Sequence, residues 1–254
     1  MFARYTSSEF VPFLNINMES QADHARLKLY KTLYTITTAL GLGLIVLIVI
    51  WFDFYGGGYS LTDSSLEFNW HPVLMITSML FLYSQSILIY RTARNMPKFK
   101  VKCLHAGLHI FILVIAALGV TAVFKSNETV PPSPNLYSVH SWLGILTLAL
   151  FSCQLVVGFA TFLFPGASKN LRTLVLPYHV TVGSSGFIMA LFTAGMGLME
   201  QAQGITNYTE LPPAGILINT IGLVIIVFGV LTIHLVTDSY YKRTEVLEDI
   251  ALQE

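Results

Sequence analysis

The chain has 254 residues, of which 54% are hydrophobic and only 11% charged, with a mean hydropathy of +0.65. Fourteen basic residues balance fourteen acidic ones; the balance itself points to no partner, and no nucleic acid is expected. Six stretches lack Asp, Glu, Lys and Arg: Thr32–Phe52, Phe68–Tyr90, Cys103–Phe124, Thr129–Ser168, Thr173–Met199 and Leu211–Thr237. A soluble helix would keep a polar face, and these show little of one. Each is long enough for the roughly 20 residues that cross a ~30 Å hydrocarbon core. The runs lack the short alternating segments of a membrane barrel. Six helical spans are predicted, near residues 33–54, 69–90, 103–124, 138–163, 174–198 and 214–238.

In chain order, the first ~30 residues are polar and mixed, unlike a cleavable signal peptide. The first span is therefore read as an uncleaved anchor. Asn69-Trp70-His71-Pro72 opens the second, where proline is tolerated because an early helix amide has no partner. The third carries Cys103, His105 and His109. Pro131, Pro132 and Pro134 make an extended loop before the fourth, which starts near His140 and contains Cys153. Pro165-Gly166-Ala167-Ser168 is a turn, the fifth span carries His179, and the sixth carries His234. Both cysteines lie inside spans, so they read as packing residues and not as a disulfide. No internal repeat is evident, beyond a histidine beside a tryptophan at the start of the second and fourth spans. The loops are short, so residues 33–241 form one transmembrane domain between tails 1–32 and 242–254.

Basic residues set the orientation. With the amino terminus in the cytosol, every Lys and Arg falls on that side except Lys125. Such a bias predicts both termini in the cytosol. Asn127-Glu-Thr129 and Asn207-Tyr-Thr209 are N-x-T sequons, and both fall in loops on the opposite, lumenal side. Asn127 and Asn207 are thus candidate glycosylation sites.

Topology then sorts four histidines into two pairs. His71 and His140 lie at the lumenal starts of the second and fourth spans; His105 and His179 lie near the cytosolic starts of the third and fifth. A lone histidine near a helix end is often a neutral imidazole bonded to a carbonyl. Four at matched depths inside costly apolar spans point to function. Zinc would want three or four protein ligands, and no acid or cysteine is available at these depths. A haem iron needs only two axial ligands, and a helical bundle can hold the flat macrocycle. Two axial imidazoles leave no open position, which favours electron transfer. His109 follows His105 by one turn, on the same face. It is either an alternative ligand or, as favoured here, a residue packed behind the ligand. His234 has no matched partner and reads as a packing residue.

Phe68-Asn-Trp-His-Pro-Val73, Lys102-Cys-Leu-His105, Asn135-Leu-Tyr-Ser-Val-His-Ser-Trp142, Phe164-Pro-Gly-Ala-Ser168 and Leu176-Pro-Tyr-His179 resemble the eukaryotic cytochrome b-561 family. The resemblance covers about residues 35–243. It implies an all-α membrane protein: six helices, with two b haems in a four-helix core flanked by two further helices. His71 and His140 would ligate the lumenal haem, His105 and His179 the cytosolic one. Arg91 and Lys242 match positions contacting the cytosolic haem; Asn135, Leu136, Tyr137, Ser138 and Glu200 match positions around the lumenal haem. Basic groups suit haem propionates, whereas Glu200 suits water or a backbone amide.

The resemblance further implies ascorbate as cytosolic donor, with monodehydroascorbate or ferric iron as acceptor across the membrane. Lys98, Lys102 and Arg172 match ascorbate-site positions, and their charge suits a monoanion. Their simplest other reading is topology alone, with attraction to anionic lipid. Family members are commonly homodimers in vesicle, endolysosomal or plasma membranes. Asn127 stands where many members carry a lumenal histidine implicated in acceptor binding, which predicts weaker ferric reduction here. The competing reading is a haem-free transporter or channel in which His105 and His109 relay protons or metal. The absence of acids inside the spans and of paired broken-helix signals counts against it.

Overall fold

The computed structural model describes residues 7–129 and 134–243; for residues 7–22 and 129 it describes the backbone alone. Helices and turns account for all regular structure among the described residues. The first helix, α1, runs Ser7–Phe54. It passes residue 33 without a break, so the expected boundary between tail and span is not a structural one. Residues 23–31 contain neither glycine nor proline, and Asp23 pairs with Arg26 one turn on (3.8 Å), both of which favour helix.

After α1 the chain turns through Gly57 and Gly58 at φ +85° and +89°, where a side chain would be strained. The turn is tied down by side chains. Asn69 Nδ2 donates to the carbonyls of Gly56 (2.9 Å) and Gly58 (2.7 Å), and Trp70 Nε1 to that of Ser60 (3.1 Å). Tyr59 donates to Val49 O (3.0 Å); burial and the nearby Asp53 carboxylate push its phenol up to about 12, so it stays a neutral donor.

The second span is segmented: α2 (Ser64–Glu67), α3 (Trp70–Met75), a π-helical stretch Ile76–Leu82, and α4 (Tyr83–Thr92). The remaining helices are α5 (Lys98–Thr129), α6 (Val139–Phe162), α7 (Lys169–Gln203) and α8 (Pro213–Thr237). Six segments are long and apolar enough to cross a membrane, one for each span expected. The helices α5 and α7 overrun their charge-free cores at both ends, because backbone hydrogen bonding does not stop where lysine begins. Asn127, expected in a loop, therefore lies in the last turn of α5.

Helix α5 packs on the second span and α6 packs along α7. Helices α1 and α8 pair with each other and lean on the second span and α7. Tyr83, Phe151, Phe187 and Phe228 are buried at the centre. Outward-facing Val114, Leu223 and Val230 are 53%, 66% and 63% exposed, an apolar exterior suited to lipid.

The two ends of the bundle differ in charge. Arg91, Arg94, Lys98, Lys100, Lys102, Lys169 and Arg172 gather at one end. At the other, Lys125 is the one basic residue among those described, and its ammonium pairs with the buried Glu67 carboxylate (2.6 Å).

Candidate functional site

The histidines meet as topology paired them. At the basic-poor end, the rings of His71 (α3) and His140 (α6) have centroids 6.2 Å apart, nearly perpendicular at 87°. At the basic end, His105 (α5) and His179 (α7) lie 6.3 Å apart at 71°. Two metal–imidazole bonds of roughly 2.0–2.1 Å, with about 1.1 Å from each nitrogen to its ring centre, put two trans rings about 6.3 Å apart. Both pairs therefore have the spacing of axial ligands on opposite sides of one ion.

Ring tautomers fit as well. His71 Nδ1 lies 2.9 Å from Gly119 O, His140 Nδ1 2.9 Å from Thr193 O, and His105 Nδ1 2.9 Å from Ser86 O. A carbonyl can only accept, so each Nδ1 carries the proton and each Nε2 keeps a lone pair for a metal. His179 differs: its Nδ1 is buried without a hydrogen-bond partner.

Between His71 and His140 lies a cavity of about 360 Å³ with a mostly apolar lining that includes Phe68, Met75 and Met79. Asn135, Leu136, Tyr137, Ser138 and Glu200 all line it, as does Asn127. The segment over the cavity is locally set. Leu136 adopts φ +58°, unusual for a branched side chain, and Trp142 Nε1 donates to its carbonyl (2.7 Å). Ser138 then caps α6 reciprocally with Ser141. Asn127 Nδ2 donates to Asn135 Oδ1 (2.8 Å), joining α5 to this segment. Asn207 is exposed, in a left-handed turn after α7.

At the basic end, the ring of Tyr90 stands 5.6 Å from that of His105 and the ring of Phe162 5.3 Å from that of His179. Lys102 Nζ donates to Phe162 O (3.0 Å), the carbonyl of the same residue whose ring packs on His179. Lys98 is one turn earlier on α5; Arg172 is half-buried two turns before His179 on α7. Arg91 follows Tyr90, but its guanidinium donates to the carbonyls of Val236 and Asp238 at the end of α8. Arg94 likewise donates to the carbonyls of Tyr241 and Lys242. These forks satisfy the carbonyls that a helix end leaves unpaired. The Lys242 side chain is exposed just beyond.

The ring facing His179 at 6.3 Å is that of His105. His109 packs behind it (4.3 Å), against Phe151 (4.8 Å) and Tyr83 (5.6 Å), in the aromatic centre between the two pairs. Its Nε2 approaches Ser86 Oγ (3.4 Å), which also lies 3.2 Å from His105 Nδ1. His234 packs on Tyr241 (6.0 Å). Sequence reading missed the residues whose carbonyls accept from the imidazoles, Ser86, Gly119 and Thr193. Their signal is an offset: Gly119 and Thr193 follow His105 and His179 by fourteen residues each, and Ser86 follows His71 by fifteen.

Residues 70–203 match the family described as eukaryotic cytochrome b561. The chain is 40% identical over 215 residues to the transmembrane ascorbate-dependent reductase of Ovis aries, covering 84% of each. It is 38% identical to the lysosomal membrane ascorbate-dependent ferrireductase of Bos taurus, covering 82% of this chain and 80% of that one. The corresponding lysosomal protein of Danio rerio is 35% identical, over 85% of this chain and 91% of its own. With the paired imidazoles, the match across the four spans that carry them and this degree of identity, the chain belongs to the eukaryotic cytochrome b561 family.

Proposed function

We propose that this protein is a transmembrane ascorbate-dependent oxidoreductase. It takes single electrons from ascorbate at its basic end and delivers them to monodehydroascorbate or ferric iron at the other. Relatives named as an ascorbate-dependent reductase and a lysosomal ferrireductase support the activity. Family membership implies b-type haem; we infer two, held by His71 with His140 and by His105 with His179. The observation that carries this reading is the pair of facing imidazoles at each end, 6.2 and 6.3 Å apart. When bound, each haem would supply a one-electron iron couple suited to electron transfer.

The chain's own residues do the rest. The carbonyls of Gly119, Thr193 and Ser86 orient three of the rings. The lining from Asn135 to Ser138, with Glu200, would surround a group held by His71 and His140. Lys98, Lys102 and Arg172 attract and orient the ascorbate anion. Arg91 supports the other site through the end of α8, and Lys242 gives it a further positive charge. The asymmetry of Lys and Arg supports a cytosolic basic end with both termini on that side. The domain is the six-span unit 33–241 with its tails, in a vesicle, endolysosomal or plasma membrane, as a homodimer. Asn127 and Asn207 then face the lumen, where Asn207 is the more accessible of the two glycosylation candidates.

The test is the visible spectrum of the purified protein with haem counted per chain, followed by reconstitution in ascorbate-loaded vesicles with acceptors outside. Two low-spin haems per chain and acceptor reduction that depends on internal ascorbate are expected. A colourless protein that moves ions would overturn the reading in favour of a transporter.

A further inference from the structure

Helices α6 and α7 use one construction twice, in opposite directions. His140 is followed eighteen residues later by Gly158, and His179 eighteen residues later by Gly197. Eighteen residues make about five α-helical turns, so each histidine shares a face with its glycine at the far end of the same helix. The helices are antiparallel, which lays each glycine under the other helix's histidine. A Cβ on Gly197 would stand 2.8 Å from Cε1 and 3.1 Å from Nδ1 of His140. A Cβ on Gly158 would stand 2.7 Å from Cε1 and 3.3 Å from Nδ1 of His179. Neither imidazole could hold its position against a methyl group at that distance, and it is the ring itself that would have to shift. No other glycine of the described helices would meet an imidazole: a Cβ on Gly186 or Gly229 would meet Tyr83 Oη (2.9 Å) or Leu191 Cδ1 (2.6 Å), and one on Gly107, Gly183 or Gly195 nothing within 4 Å.

The correspondence extends one turn further. Four residues before Gly197 is Thr193, whose carbonyl accepts from His140. Four residues before Gly158 is Gln154, fourteen residues after His140 as Thr193 is fourteen after His179. At this corner no carbonyl accepts: His179 Nδ1 is enclosed without a hydrogen-bond partner, and so is the side-chain Oε1 of Gln154. His140 is thus held by a floor and a hydrogen bond, and His179 by the floor and the Phe162 ring without that bond.

We propose that Gly158 and Gly197 are positioning residues for the axial ligands. Each is a seat: only without a Cβ can Cε1 of the opposing imidazole come this close to the helix, which fixes where the ring lies and so where its Nε2 would be offered to a haem iron. The assignment rests on the bis-imidazole reading given above. It makes each glycine specific to one site, Gly158 to the pair at the basic end and Gly197 to the pair at the other.

The experiment compares Gly158→Ala, Gly197→Ala and the control Gly195→Ala in the full-length protein, by haem content and by potentiometric titration of the haem absorbance. Alanine favours helix over glycine, so a lost haem would not reflect a weaker helix. Wild type and Gly195→Ala are expected to titrate as two components. Gly158→Ala and Gly197→Ala should each lose or shift one component, a different one in each, and the component that remains is the internal proof of folding. Full haem with both midpoint potentials unaltered in the two variants would overturn the seats. So would the loss of both haems in each of them, because one glycine would then not serve one ligand. A wild-type protein without haem would instead overturn the function proposed above and is distinguishable from either result.

Discussion

A ligand is defined by which of its two ring nitrogens is free, and that choice is visible at His71, His105 and His140. Each turns Nδ1 to a main-chain carbonyl, and side-chain substitution of the acceptor residue would not remove that oxygen. The histidines themselves are the sensitive positions. His105→Ala or His179→Ala should remove the haem at the basic end, and His71→Ala or His140→Ala the other, halving haem content in each case. His109→Leu should keep both haems, because its place in the aromatic centre is one an apolar side chain can fill. Loss of a haem from that variant would make His109 the ligand. The rim is a separate matter of long-range charge. Replacing Lys98, Lys102 and Arg172 together by Gln should slow reduction by ascorbate about tenfold at low salt, within the range of electrostatic steering, with haem content unchanged. The wild-type rate should fall as salt shortens the screening length toward ~8 Å. An unaltered ascorbate rate would reduce these residues to a topology signal.

Among the elements, the π-helical stretch Ile76–Leu82 explains an irregular number. His105 and His179 are each fourteen residues from the acceptor that serves the facing helix, whereas His71 and Ser86 are fifteen apart. A π turn accommodates one extra residue. It absorbs the fifteenth, so that His71 and the Ser86 carbonyl still reach α5 at both ends of the second span. Deleting Thr77 from this stretch should therefore let it close into regular α-helix and leave both haems bound. Deleting Ile112, the buried residue midway between His105 and Gly119, should rotate one end of α5 by ~100° against the other and cost at least one haem. Haem retained after the Ile112 deletion, or lost after the Thr77 deletion, would refute this account of the bulge.

For the whole molecule, moving single electrons between the two ends makes turnover respond to membrane potential. In ascorbate-loaded vesicles, a potential that is negative inside should speed reduction of an external acceptor, and collapsing it with an ionophore should slow the reaction. The choice of acceptor is expected to be made at the mouth of the basic-poor end. Asn127 lines the cavity there and is bonded to Asn135, and an amide neither titrates near neutral pH nor binds ferric iron well. Asn127→His should raise the rate with a ferric chelate several-fold, as is reasonable for one added metal ligand, while leaving the rate with ascorbyl radical nearly unaltered. Stopped-flow comparison of the two acceptors checks this, and equal ferric rates in the two proteins would remove Asn127 from acceptor choice.

Six spans were legible because a bilayer demands about 20 apolar residues in a row, a one-dimensional requirement that composition meets or fails directly. The pairing of His71 with His140 and His105 with His179 was legible for a related reason: alternating direction through a membrane fixes depth, and depth alone sorts the four. Helix ends were less so, since α1 and α5 continue past the apolar stretch on backbone hydrogen bonds that any residue can make. The partners of the rings were not legible at all. Gly119, Thr193 and Ser86 contribute a carbonyl, which every residue has, and Gly158 and Gly197 contribute only the lack of a Cβ. The offsets of fourteen and eighteen residues were present in the chain, but they acquire meaning only once α6 is laid antiparallel to α7 and α5 against the second span. Likewise Arg91, a cation near the site by sequence, is drawn to the carbonyls at the end of α8, because helix ends need donors and only packing decides which end is within reach.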